Sequence, residues 1–135
     1  MNILHVTSYL QGGAGRLIAD LACAQRAGGP EVAVVTSFHD EPGYGNYPAC
    51  LALLETGGLR LLRAHSTCQR DAGLLINAFS QVRSALTLSD VSIVHAHVAT
   101  AGAIGLMLAS RAKRRIPVLQ TMHGWGIQKT AEQEA

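Results

Sequence analysis

Two short apolar runs, Asn2–Thr7 and Glu31–Thr36, bracket a stretch with helical periodicity, and this triplet restricts the fold more than any other feature. Glu31-Val-Ala-Val-Val-Thr36 shows no alternation of polar and apolar residues and is rich in β-branched side chains. Such a run fits a strand covered on both faces, as in a parallel sheet. Between the runs, Arg16–Ala27 places Leu17, Ile18, Leu21 and Ala22 at helical spacing, with Arg16, Asp20 and Arg26 elsewhere on the wheel. Gly28-Gly29-Pro30 ends that helix. Strand, helix and strand in succession make one right-handed crossover unit.

The join between the first strand and the helix is Gly12-Gly13-Ala14-Gly15. Glycine lets the backbone approach a ligand closely and adopt φ > 0. A helix N-terminus presents free N–H groups and the positive end of its dipole. The spacing therefore predicts an anion-binding loop, with a phosphate as the usual occupant. Arg16, read as the first helical residue, can pair with a phosphate or stand as a solvated charge. The dinucleotide fingerprint is incomplete: Ile18 stands where the third glycine belongs, and Val35-Thr36-Ser37 where an acid belongs. No G-x-x-x-x-G-K-[ST] sequence occurs, which excludes a P-loop.

Further along, Ser37–Pro48 reads as a loop carrying Tyr44 and Tyr47, fit for the lip of a cleft. Ala49–Glu55 is read as a short helix, Gly58–Arg63 as a strand near an edge, and Asp71–Leu88 as a helical segment. Val91–His97 is a fourth strand. A helix from Ala101 to Arg114, capped by Thr100, follows, with its last turn basic to complement the dipole. Ile116–Thr121 is a fifth strand, with Pro117 at its start. The alternation implies one α/β domain, a three-layer sandwich around a mostly parallel sheet. Ligands of such sheets sit beyond the carboxyl ends of the strands. Thr7-Ser8, Thr36-Ser37, His97 and Met122-His123-Gly124 lie there.

With 135 residues, 48% hydrophobic and 15% charged, the chain is a folded domain rather than a disordered one. A net charge of +2, with Arg111, Lys113, Arg114 and Arg115 gathered at one helix end, argues against a nucleic-acid partner. Cys23, Cys50 and Cys68 lack metal or redox spacing and read as reduced thiols of a cytoplasmic protein. No segment approaches the about 20 apolar residues of a membrane span, although peripheral contact with a membrane surface is compatible with the sequence.

The histidines carry the remaining chemistry. His95 and His97 share one face of their strand, and His123 follows the fifth strand directly. His5 and His95 are expected to be buried and hydrogen-bonded. The rim position gives His97 and His123 functional weight. His95, His97 and His123 can converge, but no carboxylate or cysteine completes a ligand set, so no metal site is expected. There is no G-x-S-x-G elbow and no recognisable carboxylate pair. Trp125, between Gly124 and Gly126, can stack on a ligand or cover the core edge.

Three segments together resemble a known family. Ile3-Leu-His-Val followed by Gly12-Gly-Ala-Gly-Arg-Leu-Ile-Ala-Asp-Leu-Ala, then Asp90-Val-Ser-Ile-Val-His-Ala-His97, then Pro117-Val-Leu-Gln-Thr-Met-His-Gly124 are similar, in order and spacing, to the N-terminal half of retaining family 4 glycosyltransferases of the GT-B fold. The resemblance implies a Rossmann-like, acceptor-side domain. The nucleotide-sugar is bound largely by a second domain, which carries an E-x7-E segment. It gives Gly12, Gly13 and Gly15 a place at the donor diphosphate and His123 a catalytic place beside the transferred sugar. Arg16 and His97 follow as weaker substrate contacts. It also implies a role in cell-envelope or polysaccharide synthesis, no cofactor beyond the nucleotide-sugar substrate, and a glycan, lipid or small-molecule acceptor.

Enzymes of this kind are several times longer. The chain is therefore expected to be the N-terminal domain alone, as a fragment, a truncated reading frame or a subunit completed by another polypeptide, with Thr130–Ala135 opening the next helix, and to be inactive without the missing C-terminal domain. An exposed interdomain face would also permit dimerisation. The alternatives are a stand-alone module binding a nucleotide or phosphorylated ligand without catalysis, and a metal-dependent hydrolase centred on the histidines.

Overall fold

The computed structural model describes residues 2–38, 45–65 and 71–123. In chain order the elements are β1 (Asn2–Thr7), α1 (Gly12–Ala27), β2 (Glu31–Ser37), α2 (Tyr47–Thr56), β3 (Arg60–Ala64), α3 (Ala72–Ala85), a 3-10 turn (Leu88–Asp90), β4 (Ile93–His97), α4 (Ala99–Ser110) and β5 (Val118–Thr121). The strands form one sheet in the order β3-β2-β1-β4-β5, and every neighbouring pair is parallel. This is the expected Rossmann-like three-layer sandwich. Strand order reverses between β1 and β4, the place where ligands of such sheets bind.

Each face of the sheet has its own core. Ile3, Val32 and Val34 pack with Ile18, Ala19 and Ala22 of α1 and Tyr47, Cys50 and Leu54 of α2. Leu4, Val6, Val35 and Val94 pack with Ala78, Phe79 and Val82 of α3 and Ala101, Ile104 and Leu108 of α4. The central strands are apolar on both sides because both sides are covered, which explains their lack of alternation. β3 lies at an edge, and its Arg60 and Arg63 are exposed.

Several boundaries differ from the sequence reading. α1 begins at Gly12 rather than Arg16, so the glycines form its first turn. Gly12, at φ +64°, swings the extended chain into the helix. Gly15 lies so near the preceding loop that a Cβ would stand 2.4 Å from the Leu10 carbonyl carbon. Helix propensity disfavours glycine in a helix, and here close approach of the backbone outweighs it. α2 begins at Tyr47, with Pro48 in its first turn where no N–H is needed. Tyr47 is therefore not a loop residue: its ring is buried and its hydroxyl donates to the Ser37 carbonyl. Tyr44 lies outside the described residues.

α3 is capped as its sequence suggests, with the Asp71 carboxylate accepting from the Leu74 N–H at 2.9 Å. α4 starts at Ala99, so Thr100 is inside its first turn and not the cap; its hydroxyl bonds Ser8 instead. α4 also ends at Ser110. The basic cluster therefore lies past its last turn, where Arg114 donates to the carbonyls of Ser89 and Val91. Among the described residues no helix is long and apolar enough to cross a membrane.

Candidate active site

The carboxyl edge of a parallel sheet collects the residues that end its strands. Here β1, β4 and β5 deliver histidines to it. The β1–β4 register sets His5 beside His95 and Thr7 beside His97, and the β4–β5 register sets His97 beside Thr121. His5 alternates with Leu4 and Val6, and His95 and His97 with Val94 and Ala96. All three therefore share the sheet face that carries Ile3 and Ile93, on the side of α1.

Their rings form a file in which His5, His97 and His123 lie near parallel and His95 is tilted against His97. Centroids are 4.2 Å apart for His95 and His97, 5.3 Å for His5 and His97, and 5.1 Å for His97 and His123. Hydrogen bonds run along it. His5 Nε2 lies 2.7 Å from Gln25 Oε1 on α1, and His5 Nδ1 lies 2.9 Å from His97 Nε2. His97 Nδ1 in turn lies 2.9 Å from Nε2 of the half-buried His123. His95 stands beside this chain, with Nε2 at 2.8 Å from Thr121 Oγ1.

Burial without a counter-charge disfavours the imidazolium form. Desolvation lowers His5 to about 4, opposed in part by its bond to Gln25, and lowers His97 to about 3, with the neighbouring histidines adding to the effect. His95 is lowered by the same causes. The buried rings are neutral at physiological pH.

Neutral imidazoles invite a metal reading, and potential ligand atoms of His5, His95 and His97 lie within 4.8 Å of one another. Both ring nitrogens of His5 and both of His97 are already engaged in the hydrogen-bonded chain. A cation at these residues would have to break it, and among the described residues no carboxylate or cysteine belongs to the cluster. The geometry fits a hydrogen-bond relay better than a ligand cage.

At the same edge, α1 opens beside β1. The Gly12 N–H donates to Asn46 Oδ1 at 2.7 Å, and Asn46 Nδ2 donates back to the Gly12 carbonyl at 3.0 Å. The Gly15 N–H donates to the Gln11 carbonyl at 2.8 Å. Gly13 is exposed, with open space where a side chain would project. Arg16 lies on the exposed face of α1, where it pairs with Asp20 at 2.9 Å. The structure thus brings His97 and His123 together and places Gly12, Gly13 and Gly15 along the same rim, while Arg16 turns to solvent and Asp20. Trp125 lies outside the described residues.

Between β4 and α4, Val98 has φ +68°, a strained value for a β-branched residue. Its N–H donates to the Thr121 carbonyl and its carbonyl accepts from the Gly102 N–H, both at 3.0 Å. These bonds hold the turn directly beneath His97.

Sequence reasoning missed Gln25 and Asn46, and it gave His5 no part in the site. The only signal for His5 was the alternation that placed it on the same face as His95 and His97. For the two amides there was none, since each meets its partner across elements.

A doubly wound parallel sheet with a glycine-opened first helix and histidines at the carboxyl edge defines a Rossmann-like domain. Residues 12–135 match the family described as the glycosyl transferase 4-like domain, and the chain belongs to that family. Its fold is similar to that in the crystal structure of Acinetobacter baumannii MurG, with TM-score 0.57, 16% identity and 90% of this chain covered. The chain spans 33% of that protein's length. A universal stress protein family member from Burkholderia pseudomallei aligns at TM-score 0.44 and 15% identity, over 88% of this chain and 94% of that one, which is too distant to support an argument. No curated protein matches the chain.

Proposed function

We propose that the chain is the acceptor-side domain of a retaining glycosyltransferase, working with a second domain that holds most of the nucleotide-sugar. The observation that carries this reading is His123. It is a half-buried imidazole held by the buried His97 at the carboxyl edge of the sheet, the edge at which α1 also begins. In this reading the sugar lies against His123, and the leaving diphosphate faces the first turn of α1 at Gly12, Gly13 and Gly15. Fixed N–H dipoles there stabilise negative charge as it develops, the arrangement that does most in charge-separating transfers. Arg16 becomes a diphosphate contact by releasing Asp20, and His97 supports the sugar subsite through His123.

The exposed Leu119 on the edge strand β5 and Met122 just past its end give the donor domain or a second copy an apolar edge to meet. The free thiols of Cys23 and Cys50 suit a cytoplasmic enzyme, and acceptors in cell-envelope or polysaccharide synthesis would bring it to the inner face of a membrane.

The test is transfer of labelled sugar from UDP- or GDP-sugar donors. The 135-residue chain alone is expected to give none, and turnover by it would remove the two-domain reading. In the complete two-domain enzyme, His123→Ala is expected to lower transfer about 10²–10⁴-fold, the usual worth of a positioned side chain that exchanges a proton or hydrogen bond with the reacting group, with little change in melting temperature. Loss of activity in step with loss of stability would sink the catalytic role.

A further inference from the structure

We propose that Gln25, His5 and His97 are positioning residues: a buried chain that holds His123 in one tautomer, Nε2–H directed inward and the Nδ1 lone pair turned to the substrate. The assignment needs one starting point, the carboxamide oxygen of Gln25. That oxygen has no proton to give, so His5 Nε2, at 2.7 Å, is the donor. A neutral imidazole carries a single N–H, so His5 Nδ1 is a lone pair and accepts from His97 Nε2 at 2.9 Å. By the same count His97 Nδ1 is a lone pair and accepts from His123 Nε2 at 2.9 Å. His123 Nδ1 is then the unprotonated nitrogen, and no residue among those described bonds it.

Neutrality is what makes the chain directional. An imidazolium donates from both nitrogens, and one in the middle would cut the relay. Burial of His5 and His97 without a counter-charge keeps that form out. His95 closes the side of the file and is tied to Thr121, so it does not compete for the nitrogens of His5 or His97. The orientation of one amide near the C-terminal end of α1 is thus transmitted through three rings to the edge of the sheet.

The consequence is chemical selectivity. A lone pair accepts a hydrogen bond from a hydroxyl, or takes its proton; it repels a phosphate or carboxylate oxygen. Resting on the reading that His123 faces the substrate, the tautomer assigns it to an alcohol of the sugar or acceptor, and leaves the diphosphate to α1.

The experiment is long-range proton–nitrogen correlation NMR on the 135-residue chain with ¹⁵N-labelled histidine, at pH 7.5. His5, His97 and His123 are each expected to show a protonated Nε2 and an unprotonated Nδ1. In Gln25→Leu the terminal acceptor is gone, the two chain directions become comparable, and the Nε2–H share of His123 is expected to fall to roughly half. Gln25→Glu supplies a counter-charge that favours an imidazolium at His5, whose Nδ1–H would reverse the chain, so the Nε2–H share of His123 is expected to fall further in that variant.

A purely structural role for Gln25 would move neither His123 nitrogen, so unchanged His123 shifts in a folded Gln25→Leu chain overturn the proposal. So does a wild-type His123 protonated at Nδ1, which decides the matter even if the variant fails to fold. The substrate-facing reading stands or falls separately. A single His123 tautomer together with full transfer by His123→Ala would keep the relay and remove its target. A mixed tautomer together with a large His123→Ala loss would do the reverse.

Discussion

Gly15 and Gly13 sit two residues apart in the first turn of α1 and serve different ends. At Gly15 a methyl group would collide with the Leu10 backbone at 2.4 Å, and backbone cannot rotate away as a side chain can. Gly15→Ala is expected to destabilise the fold by about 1–3 kcal/mol or more, as overpacking does, read as a lowered midpoint in urea unfolding. At Gly13 nothing lies within 4 Å and φ is not positive, so Gly13→Ala is expected to be neutral or to stabilise by up to about 1 kcal/mol by restricting the unfolded chain. Equal effects at the two positions would show that the α1–Leu10 contact has been misjudged. In the sequence the glycines look alike, because what separates them is the position of Leu10.

The two helices α1 and α3 show the same contrast one level up. The start of α3 is written locally: Asp71 precedes the helix and its carboxylate takes the Leu74 N–H. Asp71→Ala is expected to cost about 1 kcal/mol, the usual value of such a cap. α1 has no side-chain cap of its own at Gln11. Its opening residue is clamped instead by Asn46, 34 positions away, through a donor and an acceptor together. Asn46→Ala leaves both Gly12 groups without that partner and is expected to cost about 1–3 kcal/mol. In thermal unfolding it should lower the midpoint more than Asp71→Ala does. A smaller shift would mean that water replaces the clamp without loss. The clamp also joins the start of α1 to the start of α2, so it sets the shape of the rim where the diphosphate is proposed to lie.

At the scale of the molecule, the buried histidines make stability depend on acid. His5 and His97 titrate at about 4 and about 3 in the folded chain, below the ordinary histidine value of 6.5. Between these values the unfolded chain binds protons that the folded chain refuses, so folding stability falls as pH falls. The full stability is present above about pH 6.5. It declines through the range down to about 4 and then about 3, with a total loss of several kcal/mol. Urea midpoints at pH 7.5 and 4.5 check this, and a midpoint independent of pH over that interval would contradict burial of neutral rings. His5→Phe, which cannot titrate, is expected to flatten part of the slope even if it lowers stability at pH 7.5.

The sequence by itself determined the order and kind of the elements. Unalternating apolar runs must be covered on both faces, and helices of the observed period supply that cover. It also placed His97 and His123 at the carboxyl edge, because a parallel sheet sends the end of every strand to the same side. What it could not determine was which side chains meet. Boundaries moved where a long-range contact outweighed local preference, as at Gly12–Gly15 and Thr100. The partnership of His5, His97 and His123 needed the strand order β1-β4-β5, which sets distant segments side by side. Gln25 joined them only because α1 crosses the sheet on the face where His5 points. Periodicity fixes how one segment faces the core, whereas register and crossing between segments arise only when the chain folds, and the proposed relay consists entirely of such meetings.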